Sequence, residues 1–321
     1  MPTTTLTTPK FWQAYWVTMR PYLLFVSGVA GMAGFALGAP QNVPAALAAF
    51  PAFFFAYGFG QALTDCFQTD TDALSSPYRP LVRGIIGKRQ VLGISLAGLL
   101  GCCLILSWLN LLNLIPGALS VLGLATYTFF KRRWWAGPFY NAWIVALLPV
   151  MGYMAAVGYP AGPSAIFATV TGGTLVASVF FSYANFVLMG YFKDISADRA
   201  SGYHTFVVRF GWRPAAWISD LFALISLAAG GTVIFSALAA PRPALAVFAA
   251  AAVVLCKAQW GIHHTSDETA AHRPIANVVR GFLLLHLAAI LSFQPEWWLA
   301  ALLFYGAFEL TLQRRPEKGQ V

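Results

Sequence analysis

Ten apolar stretches, each close to the length a helix needs to cross a bilayer, recur along the chain. They fall near 19–38, 43–63, 90–107, 110–129, 139–158, 165–190, 214–238, 243–261, 277–294 and 296–313. This pattern constrains the fold more than any other feature. Within hydrocarbon each backbone N–H and C=O must be satisfied inside its own segment, so runs of this length form helices. The expected fold is all-α, a polytopic transmembrane helix bundle of nine to ten spans, because a short turn joins the last two. The charge content agrees: 10% of the 321 residues are charged and 59% are hydrophobic, against about 25% charged in a soluble domain. The whole chain, 1–321, reads as a single transmembrane domain. It has an interfacial N-terminal segment (1–18) and a basic tail (314–321). In the N-terminal segment, FWQAYW (Phe11–Trp16) has the aromatics that favour the headgroup level. Met1–Lys10 is polar and Thr-rich and does not read as a secretory signal. The four cysteines form no CxxC pair and read as small buried hydrophobes.

Net charge is +9, which alone could suggest nucleic acid. The placement of the charges argues otherwise. With ten spans and the N-terminus inside, all but one of the 20 basic residues fall on the inner side, Arg242 being the exception. That is the positive-inside bias. The excess charge is topological, and no nucleic-acid partner is expected.

Five of the eleven acidic residues lie in two short stretches. TDCFQTDTD (Thr64–Asp72) follows the second span, and YFKDISADRASGYHTFVVRFG (Tyr191–Gly211) follows the sixth. Both fall on the inner side, so spans one to four and five to eight form a weak internal repeat. If the first stretch continues as a helix, Asp65 and Asp72 share a face, Gln68 lies between them, and Asp70 points away. Asp194 and Asp198 are four apart and share a face as well. Should the two helix ends meet, four carboxylates converge at a low-dielectric boundary. Hard divalent cations would neutralise them, and Mg²⁺ completes its octahedron with water and phosphate oxygens. Arg79, Lys131, Arg132, Lys193 and Arg199 lie near these loops and suit phosphate. Pro77 and Pro80 would end the first helix and turn Arg79 back. Carboxylates, Mg²⁺ and basic residues over an apolar cavity describe a lipid diphosphate site, capped on the cytoplasmic side by two Asp-rich loops.

These motifs resemble the UbiA superfamily of intramembrane prenyltransferases. That family carries NDxxDxxxD and RPLxxG after its second span, and DxxxD with a G-x-x-T element after its sixth. Here TDCFQTDTD is followed by PYRPLVRG (Pro77–Gly84), and KDISADRASGYHT supplies Asp194 and Asp198. MRPYLLF (Met19–Phe25) resembles the family's first helix, and YTFFKRRWWAGPFYN (Tyr127–Asn141) its loop after the fourth span. The resemblance implies Mg²⁺-dependent transfer of a prenyl group from a prenyl diphosphate to a lipophilic acceptor of aromatic or quinone type. It implies Asp65, Asp72, Asp194 and Asp198 as catalytic Mg²⁺ ligands, and Arg20, Arg79, Lys131, Arg132, Lys193 and Arg199 as diphosphate contacts. Gln68, Asp70, Tyr57, Asn141 and His204 would be accessory. The chain departs from the family at Thr64, where Asn is expected, and at Gln68, where Asp is expected. A tenth span would exceed the family's nine. The implied location is a bacterial inner (cytoplasmic) membrane, among membrane lipid, with the N-terminus in the cytoplasm.

Two other functions fit parts of the pattern. A UbiA-type terpene cyclase would use the same ionisation and quench the cation within its own chain. A transporter would use two halves around a midplane site, but here the acids gather at one surface. Phe53–Phe55, Tyr57, Tyr183 and Tyr191 are candidates to face a carbocation, against a background of ordinary packing in a chain 15% aromatic. His263, His264 and Asp267 read as a solvated loop rather than a metal site. Asp220 is a suspect as an acid near the start of a span.

Overall fold

The computed structural model describes residues 4–38, 42–236 and 242–317, and every regular element among them is helical. Residues 1–3, 39–41, 237–241 and 318–321 lie outside the described residues. They include part of the N-terminal segment, parts of two expected outer turns and Lys318 of the basic tail.

The chain begins with α1 (Pro9–Met19), whose first turn is capped by the Thr8 hydroxyl accepting from Phe11 N–H at 3.4 Å. Phe11 and Tyr15 are buried while Trp12 and Trp16 are exposed. This is the two-sided helix expected of an interfacial lead-in. Arg20 then breaks the helix, and a 3₁₀ turn (Pro21–Leu23) leads into α2 (Leu24–Gly38). The bundle continues with α3 (Val43–Asp65), α4 (Thr69–Ser75), α5 (Lys88–Leu109) and α6 (Leu114–Arg133). The second half holds α7 (Gly137–Val157), α8 (Val170–Gly190), α9 (Ile195–Ala200), α10 (Phe206–Phe210) and α11 (Trp212–Ser236). It closes with α12 (Arg242–His263), α13 (His272–Phe293) and α14 (Trp298–Gln313).

Among the described residues nine helical segments are long and apolar enough to cross a membrane. α14 has only 16 residues, preceded by a 3₁₀ turn at Pro295–Trp297. Together these rise about 30 Å, the thickness of the hydrocarbon core. At its start, Gln294 donates to the Ala36 carbonyl near the far end of α2 (3.3 Å). At its finish, Gln313 and Arg315 line a groove with Ser196 and Glu268 beside α9. The segment therefore runs the depth of the bundle and returns to the side that carries the acidic loops.

α2, α8 and α13 are the most enclosed spans, and α5, α6 and α12 present broad faces of Leu, Ile, Val and Trp outward. At the crossing of α2 and α7 a Cβ on Gly34 would run into the backbone of Pro149, and one on Gly152 into the Gly31 carbonyl. Lipid tails are as apolar as the helix surfaces, so close approach through small residues is what holds such crossings together. The tight α2–α7 contact and the α8–α11 contact leave a cavity between α3, α5, α6, α7 and α8, open toward α4 and α9.

Candidate active site

The cavity has a polar mouth and an apolar body. Arg20, Gln68, Asp72, Arg79, Lys131, Lys193 and Asp194 line the mouth. Below them come Tyr57, Tyr127, Asn141, Tyr183 and Tyr191, then aliphatic residues down to Leu106, Gly117 and Met151.

The first acidic stretch is not one continuous helix. α3 ends at Asp65, and the N–H groups of Cys66 and Phe67 bond only three residues back, to Leu63 (3.2 Å) and Thr64 (2.9 Å). α4 starts afresh at Thr69. The expected shared face of Asp65 and Asp72 is therefore absent. Arg79 joins them instead: its Nη1 forms an ion pair with Asp72 and lies 3.7 Å from Asp65 Oδ1. Gln61 (2.7 Å), Gln68 (3.1 Å) and Arg20 (2.9 Å) also donate to Asp65 Oδ1. Arg20 adopts φ 52°, ψ 72°, the only positive φ of a non-glycine among the described residues. A left-handed arginine costs about 1–3 kcal/mol and persists only where its surroundings hold it; here the side chain is held by its ion pair with Asp65. The Nε atoms of Arg20 and Arg79 are buried without a protein hydrogen-bond partner. Two buried guanidinium N–H groups at the mouth of a cavity call for an anion.

In the second stretch Asp194 lines the mouth, while the Asp198 side chain is 0% exposed and lies outside the lining, 3.5 Å from Lys131 Nζ. Asp198 Oδ2 has no protein hydrogen-bond partner. Lys131 also sits over the Tyr191 and Tyr203 rings, at 5.2 and 5.1 Å. α4 and α9 pack together, so the two acidic segments do meet across the mouth. Burial pushes the Asp72 carboxyl up to about 6, with Arg79 opposing, and raises that of Asp198, with Lys131 opposing. Both are acids whose charge is incompletely compensated.

Besides Asp198, five expected site residues, Asp65, Asp70, Arg132, Arg199 and His204, are not in the cavity lining. Arg132 pairs with Asp70 (2.6 Å) and the Tyr203 hydroxyl (3.2 Å) at the solvent rim. Arg199 and His204 are exposed, because α9 turns its Asp198 face inward and His204 is fixed by its backbone N–H to the Arg132 carbonyl (3.0 Å). Of the aromatics, Phe53, Tyr57, Tyr183 and Tyr191 line the cavity and Phe54 and Phe55 do not. Asp220 is paired with His263 at 2.7 Å, and Asp267 bonds Thr269. The sequence reading missed Gln61 and Tyr127. Each stands four residues before a named site residue, Asp65 and Lys131, and so on the same helical face. Tyr127 bonds the Tyr191 hydroxyl (2.9 Å), and Tyr183 bonds Tyr57 (3.2 Å).

Among the described residues no group of three or more His, Cys, Asp or Glu could by itself hold a metal. Mg²⁺ needs no such cage, since it takes one or two carboxylates with water and phosphate oxygens. Asp72 and Asp194, hard oxygen donors on opposite sides of the mouth, suit that chemistry.

The model of the UbiA prenyltransferase family matches residues 24–283. Digeranylgeranylglyceryl phosphate synthase of Halobacterium salinarum is 29% identical over 199 residues, 62% of this chain and 67% of that one. The protein of the same name from Thermococcus kodakarensis is 26% identical over 262 residues, 79% and 88% of the two chains. Chloroplastic chlorophyll synthase of Arabidopsis thaliana is 28% identical over 174 residues, 50% of this chain and 42% of the plant protein. In fold, the chain is similar to a UbiA homolog from Aeropyrum pernix K1 (TM-score 0.70, 19% identity, 80% and 94% covered). It is also similar to one from Archaeoglobus fulgidus bound to GPP and Mg²⁺ (TM-score 0.60, 18% identity, 86% and 99% covered). The chain belongs to the UbiA prenyltransferase family, and is an integral membrane enzyme of the prenyl-transferring kind.

Proposed function

We propose that the cavity binds a prenyl diphosphate with Mg²⁺ and passes the prenyl group to a lipophilic acceptor, an aromatic or quinone-type ring. The observation that carries this reading is the pair of unpartnered guanidinium Nε atoms, on Arg20 and Arg79, above an apolar, tyrosine-lined body. Diphosphate would lie among Arg20, Arg79, Lys131 and Lys193, where charge developing on it meets fixed positive charge in a dry site. Asp72 and Asp194, with Asp65 and Asp198 behind them, are the residues to hold Mg²⁺. When bound, the metal supplies further positive charge to the leaving group. The C–O bond at the allylic carbon breaks, and its electron pair leaves with the diphosphate. The acceptor then bonds to that carbon and gives up a proton. Tyr57, Tyr127, Tyr183 and Tyr191 surround the space next to the mouth, where a ring face stabilises a cation by about 0.5–2 kcal/mol. We place the mouth, and the N-terminus, on the cytoplasmic side of a bacterial inner membrane, following the basic residues.

A second acceptor class is favoured by the relatives named for digeranylgeranylglyceryl phosphate synthesis, namely a prenylated glyceryl phosphate lipid. Purified protein in lipid nanodiscs, given Mg²⁺, geranylgeranyl diphosphate and either acceptor class, separates the two by which one supports diphosphate release. A cyclic hydrocarbon formed without acceptor would indicate the cyclase instead. Asp72→Ala and Asp194→Ala are each expected to lower turnover about a hundredfold or more while the protein still inserts. Wild-type rates in both variants would overturn the site assignment.

A further inference from the structure

The cavity is deep on one side only. On α2 and α8 its lining stops at Ser27 and Tyr183, close to the mouth. On α6 the lining runs from Lys131 to Gly117, about 21 Å at the helical rise of 1.5 Å per residue. On α5 and α7 it reaches Leu106 and Met151.

This deep end is cross-linked. Asn113, fully buried in the 3₁₀ turn between α5 and α6, donates through Nδ2 to the carbonyls of Leu106 (3.1 Å) and Met151 (3.4 Å). Asn110 donates to the carbonyls of Met154 (3.1 Å) and Ala161 (2.9 Å). The same two amides thus tie α5 and α6 to α7 directly beneath the lining. Both asparagines are buried, so water does not compete for the carbonyls and the tie is hard to exchange. Gly117 completes the end wall. A Cβ there would approach Cys103 Sγ, itself in the lining, to 2.9 Å, so a larger residue crowds this end of the cavity.

The geometry points to Leu106, Gly117 and Met151 as a rigid floor that sets donor length, admitting a tail of about four isoprene units (geranylgeranyl). The inference rests on the reading of the cavity as the donor site. An extended chain gains about 1.2 Å per bond, as polypeptide does with three bonds per residue. A four-bond isoprene repeat therefore takes about 5 Å, and about four repeats span the α6 wall. A geranyl tail, about 10 Å long, ends beside Leu124 on α6 and leaves the floor bare, and a tail of more than about four units meets Leu106 and Met151.

Binding of S-thiolodiphosphate analogues to the full chain in nanodiscs with Mg²⁺ tests this without knowing the acceptor. Affinity is expected to rise from geranyl through farnesyl to geranylgeranyl and to gain nothing at hexaprenyl. Gly117→Leu lowers the geranylgeranyl-to-geranyl affinity ratio about tenfold or more. Met151→Ala, which adds no bulk and so does not crowd Cys103, removes three heavy atoms from the floor and shifts the best-bound analogue from geranylgeranyl toward the five-unit geranylfarnesyl. Wild-type ratios in the folded Met151→Ala variant, or in a folded Gly117→Leu, overturn the floor assignment. If neither the analogues nor inorganic diphosphate bind the wild type with Mg²⁺, the donor-site reading itself falls, and the floor assignment with it.

Discussion

Gln68 stands where the family motif has a carboxylate, and its Nε2 donates to Asp65 Oδ1 at 3.1 Å. An aspartate there would face Asp65 as a like charge, held only by an added cation. The amide instead lets the mouth close on itself, with Gln61, Gln68 and Arg20 all donating to one carboxylate oxygen. Gln68→Asp is accordingly expected to destabilise the Mg²⁺-free protein by about 1–3 kcal/mol and to enlarge the stabilisation conferred by Mg²⁺ plus inorganic diphosphate. Thermal melting with and without the two ions checks this; melting curves that match the wild type in both conditions would count against it. The ionisable residues of this cluster were legible from motif spacing, but their pairing was not. The helix was read straight through Cys66–Gln68, because no Gly or Pro marks the break there. Arg20 was legible as a cation from its R-P context. Its left-handed backbone was not, and neither was its partner, Asp65, which lies 45 residues away.

Helices follow their hydropathy closely here: each of the ten apolar runs overlaps one helix, with ends that agree to within about five residues, and among the described residues nine of these helices are long and apolar enough to span. Lipid leaves a long apolar run no alternative. How the helices meet was less visible. The α2–α7 crossing depends on Gly31, Gly34 and Gly152, which in sequence are three of 28 glycines. Gly152→Val would drive a branched side chain into the Gly31 carbonyl, and overpacking of this kind costs about 1–3 kcal/mol or more. Gly306→Val on α14, where a Cβ meets nothing within 4 Å, serves as the matched control. Melting in nanodiscs should show a lowered transition for Gly152→Val and little change for Gly306→Val; equal transitions would mean that the crossing tolerates separation. Similarly, nothing in the sequence of NLLN (Asn110–Asn113), at the start of the fourth apolar run, marks its two asparagines as cross-links. Its amides reach carbonyls as far as 51 residues away, contacts that no local pattern encodes.

Across the whole molecule, charge and cavity agree on one direction. The mouth, the α9 loop and the end of α14 share one side, and the sequence assigns nearly all basic residues to it. Ser164, before α8, lies at the opposite end. This asymmetry has a chemical consequence. A diphosphate head is soluble and cannot cross hydrocarbon, so donor must arrive, and diphosphate must leave, on the mouth side. On the proposed donor reading, the anionic leaving group would depart past the Arg132–Asp70 ion pair at the rim, while the prenyl tail would stay in the apolar body. Orientation therefore decides which compartment supplies the donor. It can be read with two engineered cysteines, Thr7→Cys and Ser164→Cys, both at exposed positions, after Cys256, the exposed native thiol, is replaced by serine. A membrane-impermeant maleimide is expected to label Ser164→Cys in intact cells and Thr7→Cys only in inverted vesicles. The reverse pattern would put the mouth outside, against the basic-residue bias, and would require donor made on the far side of the membrane.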